Sequence, residues 1–177
     1  QHLMRGLTEH GNLELAYQIV TNETYPSWGY MINNGATTIW ELWNGDTANP
    51  AMNSRNHVML LGDLLIWFYE NLAGIKNDPS AVGFKKIWME PVCPEKLSNV
   101  NASYESPYGK IESRWKRNGD KLTWDISIPA NTTATVKIPG RFGIKVDGNQ
   151  PGVHTVKEAD DSLTLELGSG TYLFQSE

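Results

Sequence analysis

The chain has one cysteine in 177 residues, Cys93, which excludes an internal disulfide and a cysteine-ligated zinc site. It has no long apolar run: the longest, Val58 to Phe68, is interrupted by Gly62 and Asp63 and is too short to cross a bilayer. Lys and Arg nowhere cluster, and the formal net charge is −5, so nucleic acid and anionic membranes are not expected partners. His2, His10 and His154 share no ligand spacing with an acid or a thiol, and no metal site is expected. A glycine-rich phosphate loop, a nucleophile elbow and a dinucleotide fingerprint are all missing, and no cofactor is expected. No signal-peptide pattern precedes the first helical residues, so Gln1 is expected to lie inside a longer protein.

Aromatic residues are plentiful by contrast, with seven Trp and seven Tyr. Flat side chains pack on the apolar faces of pyranose rings, but they also fill ordinary cores, the simpler reading for most of them. Residues 1–77 read as helical. Leu3, Met4 and Leu7 form a short face that stops at Gly11, and Asn12 offers a cap for a second helix bearing Leu13, Ala16 and Val20. Tyr25-Pro26 breaks that helix, and a short helical turn is expected over Ser27 to Asn33, ended by Asn34-Gly35. The strongest helix is expected from about Ser54 to Leu72. There Val58, Leu61, Leu65, Phe68 and Leu72 recur at spacings of three and four, and Leu60, Leu64 and Trp67 widen the stripe. So wide an apolar surface belongs to an inner helix of a large helical assembly.

The stretch Lys76-Asn77-Asp78-Pro79-Ser80 is a composition break, dividing the chain into domains of residues 1–77 and 78–177. Beyond it the period changes to two. Short strands from Phe84–Met89 to Thr171–Phe174, with Gly143–Val146 among them, predict an antiparallel β-sandwich. Asn118-Gly119-Asp120 is a tight hairpin signal, and Asp147-Gly148 and Pro151-Gly152 mark further turns. The expected fold class is α+β in two parts, helices first and sandwich second.

The segment Gly35 to Gly45 holds one carboxylate, Glu41, flanked by Trp40 and Trp43. A carboxylate among indoles loses hydration, which raises its pKa and suits it to proton transfer. By composition alone a surface glutamate at a helix start is the simpler reading. His57, after Met52-Asn53-Ser54-Arg55-Asn56, can hydrogen-bond a sugar hydroxyl or orient a carboxylate, or be a satisfied histidine near a helix N-terminus.

Three motifs decide between these readings. Trp28-Gly29-Tyr30-Met31, then Gly35-Ala36-Thr37-Thr38-Ile39-Trp40-Glu41-Leu42-Trp43, then Met52-Asn53-Ser54-Arg55-Asn56-His57 closely resemble the late catalytic-domain motifs of bacterial α-L-rhamnosidases, glycoside hydrolase family seventy-eight. The strong helix resembles the last inner helix of that family's (α/α)6 barrel, and the β half resembles its C-terminal sandwich. The resemblance implies that residues 1–77 end the catalytic domain of a parent that removes terminal α-L-rhamnose with inversion. It matches Glu41 to the general base, His57 to a histidine lining the rhamnose site, and Trp40 to the wall of that pocket. It also implies that the general acid lies earlier in the parent, so that this chain alone is inactive, and it favours a periplasmic or extracellular parent over a cytoplasmic one. In a bacterial protein the Asn-X-Ser/Thr triplets at Asn22, Asn101 and Asn131 are chance matches.

Two other readings stay open. A different exo-glycosidase on the same barrel would share an inner-helix carboxylate but not the Thr-Thr-Ile-Trp-Glu context. A non-catalytic carbohydrate-binding or structural sandwich, attached to another (α/α)6 glycosidase, would present Trp88, Tyr104, Tyr108, Trp115 and Trp124 as a sugar platform. Cross-strand packing of Trp115 and Trp124 favours a structural brace. The partners expected are a rhamnose-containing glycan, the rest of the catalytic domain, and a second copy of the chain through the helix Val58–Leu72 when it stands uncovered.

Overall fold

A computed structural model describes residues 2–60, 62–139, 153–159 and 162–176. The strand expected at Gly143–Val146 and the turns at Asp147-Gly148 and Pro151-Gly152 lie outside these residues. The chain divides into two compact units, one ending at Trp67 and the other beginning at Phe68. This division falls ahead of the break at Lys76–Ser80, because Ile75–Asn77 is no linker and forms a sheet strand.

The first unit contains α1 (Leu3–Glu9), α2 (Leu13–Thr21), α3 (Trp28–Asn33) and α4 (Gly62–Trp67), with single 3-10 turns at Pro50–Met52 and Val58–Leu60. Helix α1 stops at Gly11 as its sequence requires. Gly11 adopts φ 79, its N–H donates to the Thr8 carbonyl, and Asn12 N–H donates to the Leu7 carbonyl at 2.8 Å, a Schellman closure that needs a left-handed residue. Asn12 makes no side-chain cap to α2; its amide donates instead to the His10 carbonyl. Ser27 does cap α3, accepting from Tyr30 N–H at 2.9 Å.

The long helix expected from Ser54 is the main difference. Ser54 to His57 are irregular, with a bend at Arg55, and helical geometry begins only at Val58. The reason is local competition: the Ser54 carbonyl accepts from Glu41 N–H at 2.8 Å and His57 N–H donates to the Ile39 carbonyl at 2.8 Å, so these backbone groups are already bonded across to a neighbouring segment. The buried stripe is also narrower than the apolar one. Leu64 and Trp67 are buried, whereas Val58, Met59, Leu65 and Ile66 are exposed. Among the described residues no helix is long and apolar enough to cross a membrane.

The second unit opens with a π-helical turn, Phe68–Leu72, followed by β1 (Ile75–Asn77), β2 (Lys86–Met89), β3 (Asn99–Ser106), β4 (Gly109–Asn118), β5 (Lys121–Ile128), β6 (Thr133–Pro139), β7 (Val153–Ala159), β8 (Ser162–Leu167) and β9 (Gly170–Gln175). Two sheets form, β1-β2-β6-β8-β7 and β3-β4-β5-β9. All described pairings are antiparallel except β2 with β6, which run parallel. The sandwich is therefore mixed rather than wholly antiparallel: period-two patterning reports which face is buried and carries no information on strand direction.

Its core alternates as the sequence does, with Ile111 and Trp115 inward on β4, Leu122, Trp124, Ile126 and Ile128 on β5, and Val136 and Ile138 on β6. The β4–β5 hairpin turns at Gly119-Asp120 with Gly119 at φ 60, and sets Trp115 directly opposite Trp124. Both indoles are fully buried. Trp115 Nε1 donates to the Leu72 carbonyl at 2.7 Å, Ser113 Oγ donates to the Ala73 carbonyl at 2.6 Å, and Trp124 Nε1 donates to Ser113 Oγ at 3.0 Å. These bonds satisfy carbonyls at the end of the π-helical turn that would otherwise be buried unpaired. Neither Trp115 nor Trp124 can therefore belong to an exposed sugar platform.

Candidate active site

Glu41 sits where two irregular segments of the helical unit, residues 39–41 and 54–57, are joined by backbone hydrogen bonds. Its own N–H donates to the Ser54 carbonyl, and the Ser54 N–H donates back to the Glu41 carboxylate, at 3.0 Å to Oε2. The next backbone N–H, on Leu42, donates to Asn53 Oδ1 at 3.1 Å. His57 Nδ1 lies 3.8 Å from the same Oε2, an ion-pair distance when the imidazole is protonated and too long for a direct hydrogen bond. The Glu41 side chain is 42% exposed and that of His57 25% exposed, so within this unit the carboxylate keeps contact with solvent. The described contacts of the carboxylate fall on Oε2.

The two flanking indoles have different surroundings. Trp40 is buried, and a Cβ placed on Gly45 would stand 2.7 Å from its ring, so only a glycine lets the following turn lie flat on that indole. Trp43 is partly exposed and meets Trp28 edge-on, with ring centroids 5.5 Å apart. Glu41, Trp40, Trp43 and Trp28 together line a mostly apolar cavity of about 240 Å³, closed on its other sides by Met4, Met31 and Leu64.

A second carboxylate, Asp63, reaches the same cavity but is already committed. Arg5 donates to its Oδ1 from two nitrogens, at 2.7 and 3.1 Å, and His2 N–H donates to Oδ2 at 2.7 Å. Burial alone would push Asp63 up, but the guanidinium and the amide outweigh it and hold the carboxyl below the usual aspartate range. Asp63 is thus a fixed anion, unsuited to carrying a proton. Among the described residues no guanidinium holds Glu41 in this way.

Comparisons with known proteins identify the family of the chain. Residues 1–72 match the model of the bacterial alpha-L-rhamnosidase 6 hairpin glycosidase domain, and residues 74–151 match that of the bacterial alpha-L-rhamnosidase C-terminal domain. The chain belongs to the bacterial α-L-rhamnosidase family. An alpha-L-rhamnosidase of Formosa agariphila is 37% identical over 182 residues, covering 97% of this chain and 19% of the relative. One from Alteromonas sp. is 38% identical over 174 residues, covering 96% of this chain and 18% of the relative. Among solved structures, that of the Streptomyces avermitilis alpha-L-rhamnosidase complexed with L-rhamnose superimposes with a TM-score of 0.83 at 31% identity, covering 99% of this chain and 17% of that one. The alpha-L-rhamnosidase of Dictyoglumus thermophilum gives a TM-score of 0.81 at 33% identity, with 99% and 20% covered. The chain spans about a fifth of the length of the family members it matches.

Within this chain, the three residues singled out from the sequence come together: Glu41 and Trp40 line the cavity, and His57 stands beside the Glu41 carboxylate. What sequence reasoning passed over is the frame. Ser54, Asn53 and Arg55 all lie in the Met52–His57 motif, yet their residue types alone do not say that they hold the Glu41 segment. Nor does any spacing rule join Asp63 to Arg5, which are 58 residues apart.

Proposed function

We propose that this chain is the C-terminal portion of a glycoside hydrolase that removes terminal α-L-rhamnose with inversion, and that Glu41 is its general base. The observation that carries this reading is the pairing of Glu41 with His57 at the mouth of an aromatic-lined cavity, with one carboxylate oxygen fixed by the Ser54 N–H. Inversion requires a base that activates water on the face opposite the leaving group and an acid about 6.5–9.5 Å away that protonates the leaving oxygen. Glu41, held at Oε2, turns Oε1 toward that water. His57, 3.8 Å from the Glu41 carboxylate, binds a rhamnose hydroxyl. Trp40 and Trp43 form the apolar wall, and the cavity excludes competing water once the remaining helices of an (α/α)6 barrel close over it.

The general acid belongs to the preceding part of the parent catalytic domain. Because Asp63 is locked by Arg5, the lining of the cavity offers one working carboxylate and not two. The isolated chain is therefore inactive, and the sandwich serves as a structural brace.

The test is Glu41→Gln in the full-length parent, assayed on an aryl α-L-rhamnoside. Glutamine keeps the shape but accepts no proton, so kcat should fall by roughly 10²–10⁴. A loss of less than about tenfold removes Glu41 from the mechanism.

A further inference from the structure

We propose that Arg55 is a positioning residue for the rhamnosidase reaction, the fork that fixes the Glu41 segment from both ends; this rests on Glu41 being the base. Arg55 Nε donates to the Gly45 carbonyl at 3.0 Å and its Nη2 donates to the Asp46 carbonyl at 3.3 Å, so one guanidinium binds two consecutive carbonyls of the turn that follows Glu41. On the other side, the Arg55 carbonyl accepts from Thr38 Oγ1, three residues before Glu41. A single residue thus ties together the stretches entering and leaving the carboxylate.

The consequence for Glu41 follows from what the turn rests on. Gly45 lies against the Trp40 ring, closer than any side chain would permit, and Trp40 immediately precedes Glu41. Asn53 adds a weaker bond to the Gly45 carbonyl, at 3.4 Å, while its other amide atom accepts from Leu42 N–H. Asp46 is held from a third direction, since Tyr30 Oη donates to its carboxylate at 3.1 Å. With the turn pressed onto Trp40, the Glu41 backbone has one position, and the 3.0 Å bond from Ser54 N–H to its carboxylate can form. Only a planar fork reaches two adjacent carbonyls from one side chain; a lysine keeps the charge but presents a single point. Arg55 itself touches neither Glu41 nor His57 among the described hydrogen bonds, so its effect is transmitted through the loop.

The experiment uses the full-length parent with Arg55→Ala and Arg55→Lys, assayed on an aryl α-L-rhamnoside beside Glu41→Gln. A displacement of the base by about an ångström costs on the order of a hundredfold. Arg55→Ala is therefore expected to lower kcat by about 10- to 100-fold with KM changed less than about threefold. Guanidinium added to the buffer should restore much of that loss. Arg55→Lys covers the case in which the alanine variant fails to fold, and it too should lose kcat. Wild-type kcat in both variants, while Glu41→Gln is inactive, overturns the proposal and leaves the functional reading standing. A kcat loss that tracks a lower unfolding midpoint, without guanidinium rescue, also overturns it. Full activity of Glu41→Gln removes the functional reading and this proposal with it.

Discussion

Gly74 shows how much one residue can decide. It takes φ 72, and a Cβ there would stand 2.3 Å from the Pro91 nitrogen and 2.5 Å from the Glu90 carbonyl carbon. Both neighbours are backbone and cannot swing aside. Gly74→Ala combines the cost of a left-handed residue, about 1–2 kcal/mol, with an overpacking cost of about 1–3 kcal/mol. It should lower the urea midpoint of the sandwich correspondingly; an unchanged midpoint would show that the segment from Gly74 to Pro91 shifts freely. At this same scale Glu41 and His57 were singled out by the family resemblance of their motifs, since residue type alone reads them as a surface glutamate and a satisfied histidine. Arg55 was not, since an arginine in an exposed stretch carries no mark of the carbonyls it binds.

Strands and helices respond to other forces. At the end of β2, Glu90 accepts from Lys137 Nζ on β6 at 2.8 Å and from Trp88 Nε1 at 2.9 Å, across the parallel pair. Burial pushes Glu90 up, but Lys137, Trp88 and the charge of Lys76 together hold it below the ordinary glutamate range. A carboxyl depressed by folding contributes stability that is complete above its unfolded pKa and disappears as pH falls through the folded value. The sandwich should therefore lose stability on acidification below about pH 4, and Glu90→Gln should flatten that loss, read as the urea midpoint at neutral and acid pH. Equal acid sensitivity in the variant would remove this pair as a cause. The helix expected from Ser54 failed at its first turn for an equally local reason: its backbone donors and acceptors are used by the Ile39–Glu41 segment. Periodicity recorded the apolar residues but overstated how many are buried, and was silent about that competition.

The chain as a whole leaves Val58, Met59, Leu65 and Ile66 exposed on the helical unit. A cluster of large apolar side chains in water tends to find a partner. The isolated 177-residue chain should associate with itself at micromolar concentration, and Leu65→Glu with Ile66→Glu should return it to a monomer in sedimentation velocity. A monomeric wild-type chain over that range would contradict this. In a protein about five times longer, as its relatives are, the same surface is available to the rest of the catalytic domain.

The sequence alone determined the order of helices then strands, the alternation that builds the sandwich core, the Gly119 hairpin, and the motif that marks Glu41 and His57. Each depends on residues near one another in the chain or on the type of a single residue. Tertiary structure decided the parallel β2–β6 pair, the bonding of Asp63 by Arg5, the burial of Trp40 beneath Gly45, and the hold of Arg55 on the turn after Glu41. Each of these depends on where a backbone carbonyl or a distant side chain lies in space. Local patterning encodes the faces to be buried, and only the folded chain shows which groups meet there.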